Sequence, residues 1–347
     1  MIRPLGKLLH QTTRKMIPSA DPDSRGSLYE FQLKPYNPMP PVPPKSLWHQ
    51  FKRIVYFVEF LFKSIPLWLR VFSNWLFPKP PKIITNWNAL VTGGANGIGS
   101  GVVRELAKYG CNVIIADLDE VNGERIVQEL KKKHLIKAGF YRVDVSEYDA
   151  VVQLGRKIEH DFGPVDILVN NAGALPFSVP DEYSPANLQR MMDVNVLSHF
   201  WTVKTFLPGM YERRRGHVVG LSSRSGYVPT GYMRNYATSK YAVRGFMEEL
   251  HDEIFQAGYE GEVVTTSVFP AVIGTRKESI GTLLTLPGYS EMEVTTVEEC
   301  GRQIVNAIRH NKRKLFVPDV FQTWQLALFE DLPREITRLL KEELFKR

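Results

Sequence analysis

Cysteine is nearly absent from this chain: Cys111 and Cys300 are the only two in 347 residues. They stand far apart in apolar surroundings. That excludes a disulfide framework and gives no metal-ligand spacing, so no metal is expected and a reducing compartment fits. Acidic residues are missing before Asp21. An uninterrupted apolar run long enough to span a bilayer, about 20 residues, is missing as well. The best stretch, residues 54–62, breaks at Glu59, and Pro66 lies just beyond it. No internal repeat is visible, which excludes a solenoid or array.

The positive excess lies at one end. Residues 1–82 hold 13 Lys/Arg against 4 Asp/Glu, a net +9, whereas the remaining residues hold 31 against 33, a net −2. A nucleic-acid-binding enzyme more often carries its basic patch on the folded domain, so no nucleic-acid partner is expected. A basic, aromatic N-terminal quarter points to an anionic membrane surface.

Four segments follow from these patterns. Residues 1–45 form a basic, proline-rich tail. Arg3, Lys7, His10 and Arg14 share one helical face, which reads either as a mitochondrial transit peptide or as a disordered basic tail. Residues 35–44 hold six prolines and are extended. Residues 46–82 are rich in Phe, Trp, Leu, Ile and Val. There Lys52, Glu59, Lys63 and Arg70 fall on one stripe, which predicts a helix or helical hairpin lying in a membrane interface. The alternative is an amphipathic helix covering the rest of the chain or a partner. Residues 83–318 alternate strand-like with helix-like stretches, and residues 319–347 form an amphipathic helical tail.

Within residues 83–318, strands are predicted at 89–92, 112–116, 139–143, 167–170, 217–221, 263–269 and 314–317, with helices such as 120–133 and 187–213 between them. Several of these strands are continuous apolar runs, as expected of strands buried on both faces of a parallel sheet. The fold class predicted is therefore α/β: a Rossmann-like doubly wound parallel sheet of about seven strands behind a helical N-terminal extension.

After the first strand comes TGGANGIG, residues 92–99. Gly93, Gly97 and Gly99 sit between a strand and a helix, so the turn can be tight and the backbone can approach a phosphate. The free N–H groups of the helix start then face the pyrophosphate of a dinucleotide. The second strand ends at Asp117, whose carboxylate can accept from both ribose hydroxyls and would repel a 2′-phosphate. Asn96 offers no positive charge to such a phosphate. Both favour NAD over NADP. Asp117 can also cap the next helix.

Four ordered motifs, TGGANGIG, VDV at 143–145, NNAG at 170–173 and YATSK at 236–240, make residues 86–318 resemble the short-chain dehydrogenases. The resemblance implies a nicotinamide-dependent oxidoreductase acting on an alcohol or ketone. It places Asp144 and Val145 beside the adenine. Asn171, Ala172 and Gly173 fall at a strand end next to the cofactor, as do Ile98, Pro270, Ile273 and Thr275. Tyr236 and Lys240 are four apart and share a helix face. A free tyrosine has a pKa of about 10; a nearby ammonium favours the phenolate and makes Tyr236 a workable base. By resemblance, Lys240 also binds the nicotinamide ribose, Ser223 holds the substrate oxygen and Asn195 helps hold a relay water. Ser222 is adjacent, but the spacing to Tyr236 favours Ser223. The sequence departs from the family at Pro270–Ala271, where Pro-Gly is usual, and at Arg224, where a small residue is common.

The stretch at 196–219 is similar to the membrane-associated branch that holds 17β-hydroxysteroid dehydrogenases types 11 and 13 and the microsomal retinol dehydrogenases. That branch implies the endoplasmic reticulum or lipid droplets, with the mitochondrion as the alternative if the tail is a transit peptide. Leu283, Leu284, Leu286 and Met292 lie in the loop that covers substrate in the family, so a small apolar substrate (steroid, retinoid or lipid alcohol) is expected. A homodimer pairing helices 187–213 and 232–256 is the family expectation. The competing class is a non-catalytic cofactor-binding scaffold, which would have no need of the set Asn195, Ser223, Tyr236 and Lys240.

Overall fold

The structure is a computed structural model, and it describes residues 47–77, 80–174, 184–228, 233–275, 281 and 293–318. The chain divides into two units, Met1–Phe77 and Pro78–Arg347. The basic tail, the C-terminal tail and the four apolar residues expected to form a lid lie outside the described residues.

In the first unit, α1 runs over Leu47–Leu76 with Pro66 inside it. It is helical because Leu, Phe, Lys and Arg dominate and no glycine interrupts. Glu59 and Lys63 pair one turn apart. Its large apolar side chains stand in the open: Trp68 is 70% exposed and Phe62 69%. No helix among the described residues is long and apolar enough to cross a membrane.

The second unit is built on β1 (Asn88–Thr92), β2 (Asn112–Asp117), β3 (Ala138–Arg142), β4 (Ile167–Asn170), β5 (Gly216–Leu221), β6 (Val263–Pro270) and β7 (Lys314–Val317). They form one sheet in the order β3-β2-β1-β4-β5-β6-β7, and every pairing is parallel. The helices are α2 (Gly97–Lys108), α3 (Glu120–Lys133), α4 (Tyr148–Phe162), α5 (Pro185–Met192), α6 (Ser198–Glu212), α7 (Arg234–Gln256) and α8 (Val297–Arg309). This is the doubly wound α/β sheet that the alternating pattern predicts.

Strand periodicity divides the core in two. Ala89, Val91, Val113 and Ile115 face the layer of α2, α3 and α8. Leu90, Ile114 and Ala116 face the layer of α4, α6 and α7. Because both faces are covered, the strands read as unbroken apolar runs. On the first side α2 and α8 cross with their backbones in contact: a Cβ on Gly101 would lie 2.3 Å from the Val297 carbonyl oxygen. Sheet order reverses between β1 and β4. There the loops leave in opposite directions and open a crevice at the carboxyl ends of the strands.

The predicted helix 187–213 is interrupted. A π turn, Asp193–Leu197, separates α5 from α6. The wider turn disturbs the regular helical hydrogen-bond ladder. The Ser198 hydroxyl bonds to the Val194 carbonyl at 2.6 Å.

Candidate active site

A cleft of about 560 Å³ opens at the crevice beside β1 and β4. Its floor is the turn between β1 and α2. Gly93 and Gly97 have φ of +64° and +49°, where a side chain would be strained. A Cβ on Gly93 would sit 2.9 Å from Ala172 Cα, and one on Gly99 would sit 2.2 Å from the Gly93 carbonyl oxygen. Gly93, Asn96, Gly97 and Ile98 line the cleft. Gly99 acts behind it, letting α2 start against the turn.

The turn is held from two sides. Asn171 donates through Nδ2 to the carbonyls of Thr92 and Gly93, both at 2.9 Å. The Thr92 hydroxyl accepts from the amides of Asn171 and Ala172 at 3.0 and 3.1 Å. The Asn171 side chain is thus a clamp on the glycine turn. From the other side, Asp117 accepts from the amides of Ala95 at 2.9 Å and Asp119 at 3.1 Å. Asp117 lines the cleft, but Asp119 is the residue that caps α3, accepting from the Asn122 amide. Hydrogen bonds from Asn122 and then Asn96 hold the Asp119 carboxyl down at about 2.

Further along the cleft stand Asp144 and Val145, then Ala172, Gly173 and, across from the glycine turn, Thr275. Pro270 closes β6, and Ile273, 7% exposed, makes a bridge to Thr295 that carries the chain to Thr275. Arg190, which the sequence reading did not single out, bridges to Asp144 Oδ2 and Ser146 Oγ, both at 2.7 Å, and lines the same cleft. Burial pushes the Asp144 carboxyl upward, but hydrogen bonds from Ser146 and Arg190 outweigh it and leave the group below its ordinary value.

Tyr236 and Lys240 lie in the first two turns of α7. The Lys240 ammonium is 5.6 Å from the centre of the Tyr236 ring. Lys240 is 4% exposed and its Nζ donates to the Leu221 carbonyl at 2.9 Å. In return Ser222 Oγ donates to the Lys240 carbonyl at 2.7 Å. This two-way staple brings the end of β5, and with it Ser223, to the first turns of α7. Ser223 Oγ accepts from the Ser225 amide at 3.1 Å and starts the short turn Arg224–Gly226. Burial pulls Lys240 down to about 8.

Asn195 sits inside the π turn, fully buried. Its Oδ1 accepts from the Ala174 amide at 2.7 Å, and its Nδ2 donates to the Ala174 carbonyl and to Ser239 Oγ, both at 3.0 Å. The side chain therefore ties the end of β4 to α7. Gly173 lies between them: a Cβ there would be 3.5 Å from Asn195 Oδ1 and 3.7 Å from Lys240 Nζ. A Cβ at 173 would thus make ordinary contact with both groups. Among the described residues no cluster of His, Cys, Asp or Glu could hold a metal ion.

The cleft thus joins a glycine cradle at a helix start to a carboxylate at the end of β2, while Asn195, Ser223, Tyr236 and Lys240 are not among its lining residues; Lys240 lies behind the cleft-lining Gly173. Residues 87–279 match the short chain dehydrogenase family. The chain belongs to that family. Human estradiol 17-beta-dehydrogenase 11 is 29% identical over 276 residues, covering 80% of this chain and 89% of its own length. Human epidermal retinol dehydrogenase 2 is 29% identical over 289 residues, covering 82% and 91%. Among solved structures, a 3-oxoacyl-[acyl-carrier protein] reductase of Brucella melitensis with bound NAD is 28% identical with a TM-score of 0.58, covering 68% of this chain and 90% of that one. As a short-chain dehydrogenase the chain is an oxidoreductase with a nicotinamide cofactor, and the cleft has the chemistry that cofactor requires.

Proposed function

We propose that this chain is an NAD-dependent dehydrogenase that oxidises an apolar alcohol, or reduces the matching ketone, at a membrane surface. The observation that carries the reading is the buried Lys240 ammonium. An uncompensated buried charge is expensive. Lys240 makes one hydrogen bond, to a backbone carbonyl, and that is no return for a purely structural residue. A scaffold that binds no cofactor gives no reason to keep it.

Asp117 gives the preference for NAD: its carboxylate at the adenosine end of the cleft would repel a 2′-phosphate. The glycine turn and the start of α2 would hold the pyrophosphate, Asp144 and Val145 the adenine, and Lys240 and Thr275 the nicotinamide half. The bound nicotinamide supplies the hydride acceptor. Tyr236 takes the alcohol proton, with its phenolate favoured by the Lys240 ammonium. Ser223 holds the substrate oxygen as charge develops on it, and Asn195 keeps the end of β4 and α7 in register beneath them. Proton transfer by a placed base contributes about 10²–10⁴-fold.

Relatives named for estradiol and retinol support an apolar substrate, as do the leucines of the loop at 283–286. The open apolar surface of α1 and its lysines and arginines support an interfacial helix, and hence the endoplasmic reticulum or a lipid droplet. On α6 and α7, Phe200 and Phe255 are 45% and 53% exposed and support pairing of two copies through these helices.

The test is turnover of the full-length protein in detergent, with NAD and NADP separately, over steroids, retinols and long-chain alcohols. NAD-linked oxidation of one apolar class is expected, lost in Tyr236→Phe with cofactor binding kept. Turnover with NADP alone would overturn the role of Asp117, and undiminished turnover of Tyr236→Phe the role of the tyrosine.

A further inference from the structure

The turn that carries Ser223 is pinned to α7 by more than Ser222. Gly226, which ends the turn, lies against the Lys240 backbone: a Cβ there would be 2.7 Å from the Lys240 carbonyl oxygen and 2.5 Å from Ser222 Oγ. The carbonyl of the next residue, Tyr227, accepts from the Tyr241 hydroxyl at 2.6 Å, and Tyr241 follows Lys240 on α7. Inside the turn, the Gly226 amide donates to the Ser223 carbonyl at 2.9 Å, and the amides of Tyr227 and Val228 donate to the Arg224 carbonyl, both at 3.0 Å. A shift of Tyr227 is therefore passed back to Ser223 through a closed backbone turn.

The Tyr227 side chain resists that shift. It is buried, and it packs with Phe269 and Phe316 in an apolar cluster apart from the two main layers. Both rings meet it edge-on, with centroids 4.8 and 5.2 Å away. The Arg244 guanidinium lies 3.7 Å from the ring centre. The phenol oxygen accepts from Lys314 Nζ at 3.1 Å, and the same ammonium donates to Glu248 at 2.8 Å. One side chain thus ties the serine turn to β6, β7 and α7 together. The face of an aromatic ring carries negative charge and attracts such cations. A leucine would fill part of the space and attract neither. None of these residues lines the cofactor cleft, and the chemistry drawn above uses none of them.

We propose that Tyr227 is a positioning residue for the reaction: it fixes Ser223 relative to Tyr236, so that the hydroxyl holding the substrate oxygen and the phenolate taking its proton meet at one atom. The inference rests on the dehydrogenase reading above. The two groups come from different elements, Ser223 from beyond the end of β5 and Tyr236 from the first turn of α7. Their separation is therefore set by whatever joins those elements, and a misplacement of about 1 Å between reacting groups can cost about 10²-fold in rate. Tyr227 and its tether Tyr241 act through Ser223, and no bond to either forms or breaks.

The experiment compares wild type with Tyr227→Leu, Tyr227→Phe and Tyr241→Phe, in full-length protein with the alcohol found in the turnover panel. In Tyr227→Leu, kcat/KM should fall about 10–100-fold, with the dissociation constant of NAD unchanged. Tyr227→Phe keeps the ring among its neighbours and should recover most of that loss. Tyr241→Phe removes one hydroxyl and should lower kcat/KM about three- to tenfold. The deciding readout is a double-mutant cycle with Ser223→Ala: once the serine hydroxyl is gone, Tyr227→Leu should lower the residual rate by no more than about twofold. An equal loss in both backgrounds would make Tyr227 a packing residue and overturn the proposal. If Tyr227→Leu does not fold, the same cycle on Tyr241→Phe decides. A second arm needs no turnover. In a crystal structure of either variant, the serine turn should stand away from its wild-type place while β5 and α7 keep theirs. An unmoved turn would overturn the proposal even if the enzyme is active. A displaced turn, in a protein whose wild type oxidises no alcohol, would refute the dehydrogenase reading and with it the role given to Tyr227.

Discussion

Strand β5 has a buried or half-buried lysine at each end, and the two live differently. At its start, Lys82 lies 2.7 Å from His217 Nδ1. The far nitrogen of that ring meets the Thr266 hydroxyl at 2.8 Å, which donates to the Lys312 carbonyl at 2.6 Å. Lys82 also stands over the Trp87 ring at 5.2 Å, and its amide bonds to the Arg309 carbonyl. At the end of the strand, Lys240 meets one backbone carbonyl, stands over the Tyr236 ring at 5.6 Å and lies behind the cleft-lining Gly173. Burial pulls both lysines down to about 8. The same desolvation thus acts on both: among the described residues each ammonium makes one hydrogen bond, the first to a ring in a chain that runs on to the Lys312 carbonyl, the second to a backbone carbonyl. Satisfied networks fix structure, and unsatisfied ones mark sites.

The sharpest way to break this comparison is to remove each lysine. Lys240→Met should lower kcat by about 10²–10⁴-fold without lowering the melting temperature, since it removes a desolvated charge that has little return. A large loss of stability in that variant would mean that Lys240 is structural after all. Lys82→Met should leave kcat where it is. Next in size, His217→Ala should cost about 1–3 kcal/mol in urea unfolding, because the Thr266 hydroxyl and the Lys82 ammonium both lose a partner, again with kcat unchanged.

Titration sharpens the contrast further. Activity that needs the Lys240 ammonium should decline as pH rises through about 8, and a pH–rate profile should show that limb in wild type and equally in Lys82→Met. Stability runs the other way. Both lysines bind protons less well folded than unfolded, so unfolding takes up protons between about 8 and the ordinary lysine value of about 10.4. Stability should rise with pH across that window. The smallest effect is expected at acid pH. Burial, with Lys82 next to it, holds His217 well below its usual value, so stability should fall as pH drops below about 6.5. The slope should be shallower in His217→Phe.

Much of the fold was legible because its signals are local. Apolar runs ended by Gly, Asn or Asp put all seven strands within a residue or so of where they lie, and strand–glycine turn–helix spacing located the crevice. The break in residues 187–213 was not legible. A π turn at Asp193–Leu197 leaves the 3.6-residue periodicity almost intact and is fixed by Asn195 reaching Ala174 and Ser239, contacts made across 21 and 44 residues. In the site, Asp117 and Gly93 could be picked out from spacing and from chemistry. Arg190 could not, since an arginine on an exposed helix face looks like any other until it is seen bridging to Asp144. Asn171, read as lying next to the cofactor, lines the cleft, and its side chain also clamps the glycine turn.

By itself, then, the sequence determined the α/β alternation, the parallel sheet, the glycine turn with its following carboxylate, and the placing of Tyr236 and Lys240 on one face of a helix. Each follows from residues near one another in the chain, where backbone geometry alone fixes who can meet. Tertiary structure decided which polar groups are satisfied. Lys82 found His217 across 135 residues, Lys240 a carbonyl 19 residues back, and among the described residues His199 found no partner for its ring nitrogens. Burial and hydrogen-bond partnership belong to the packed molecule, because they are set by residues far apart in the chain.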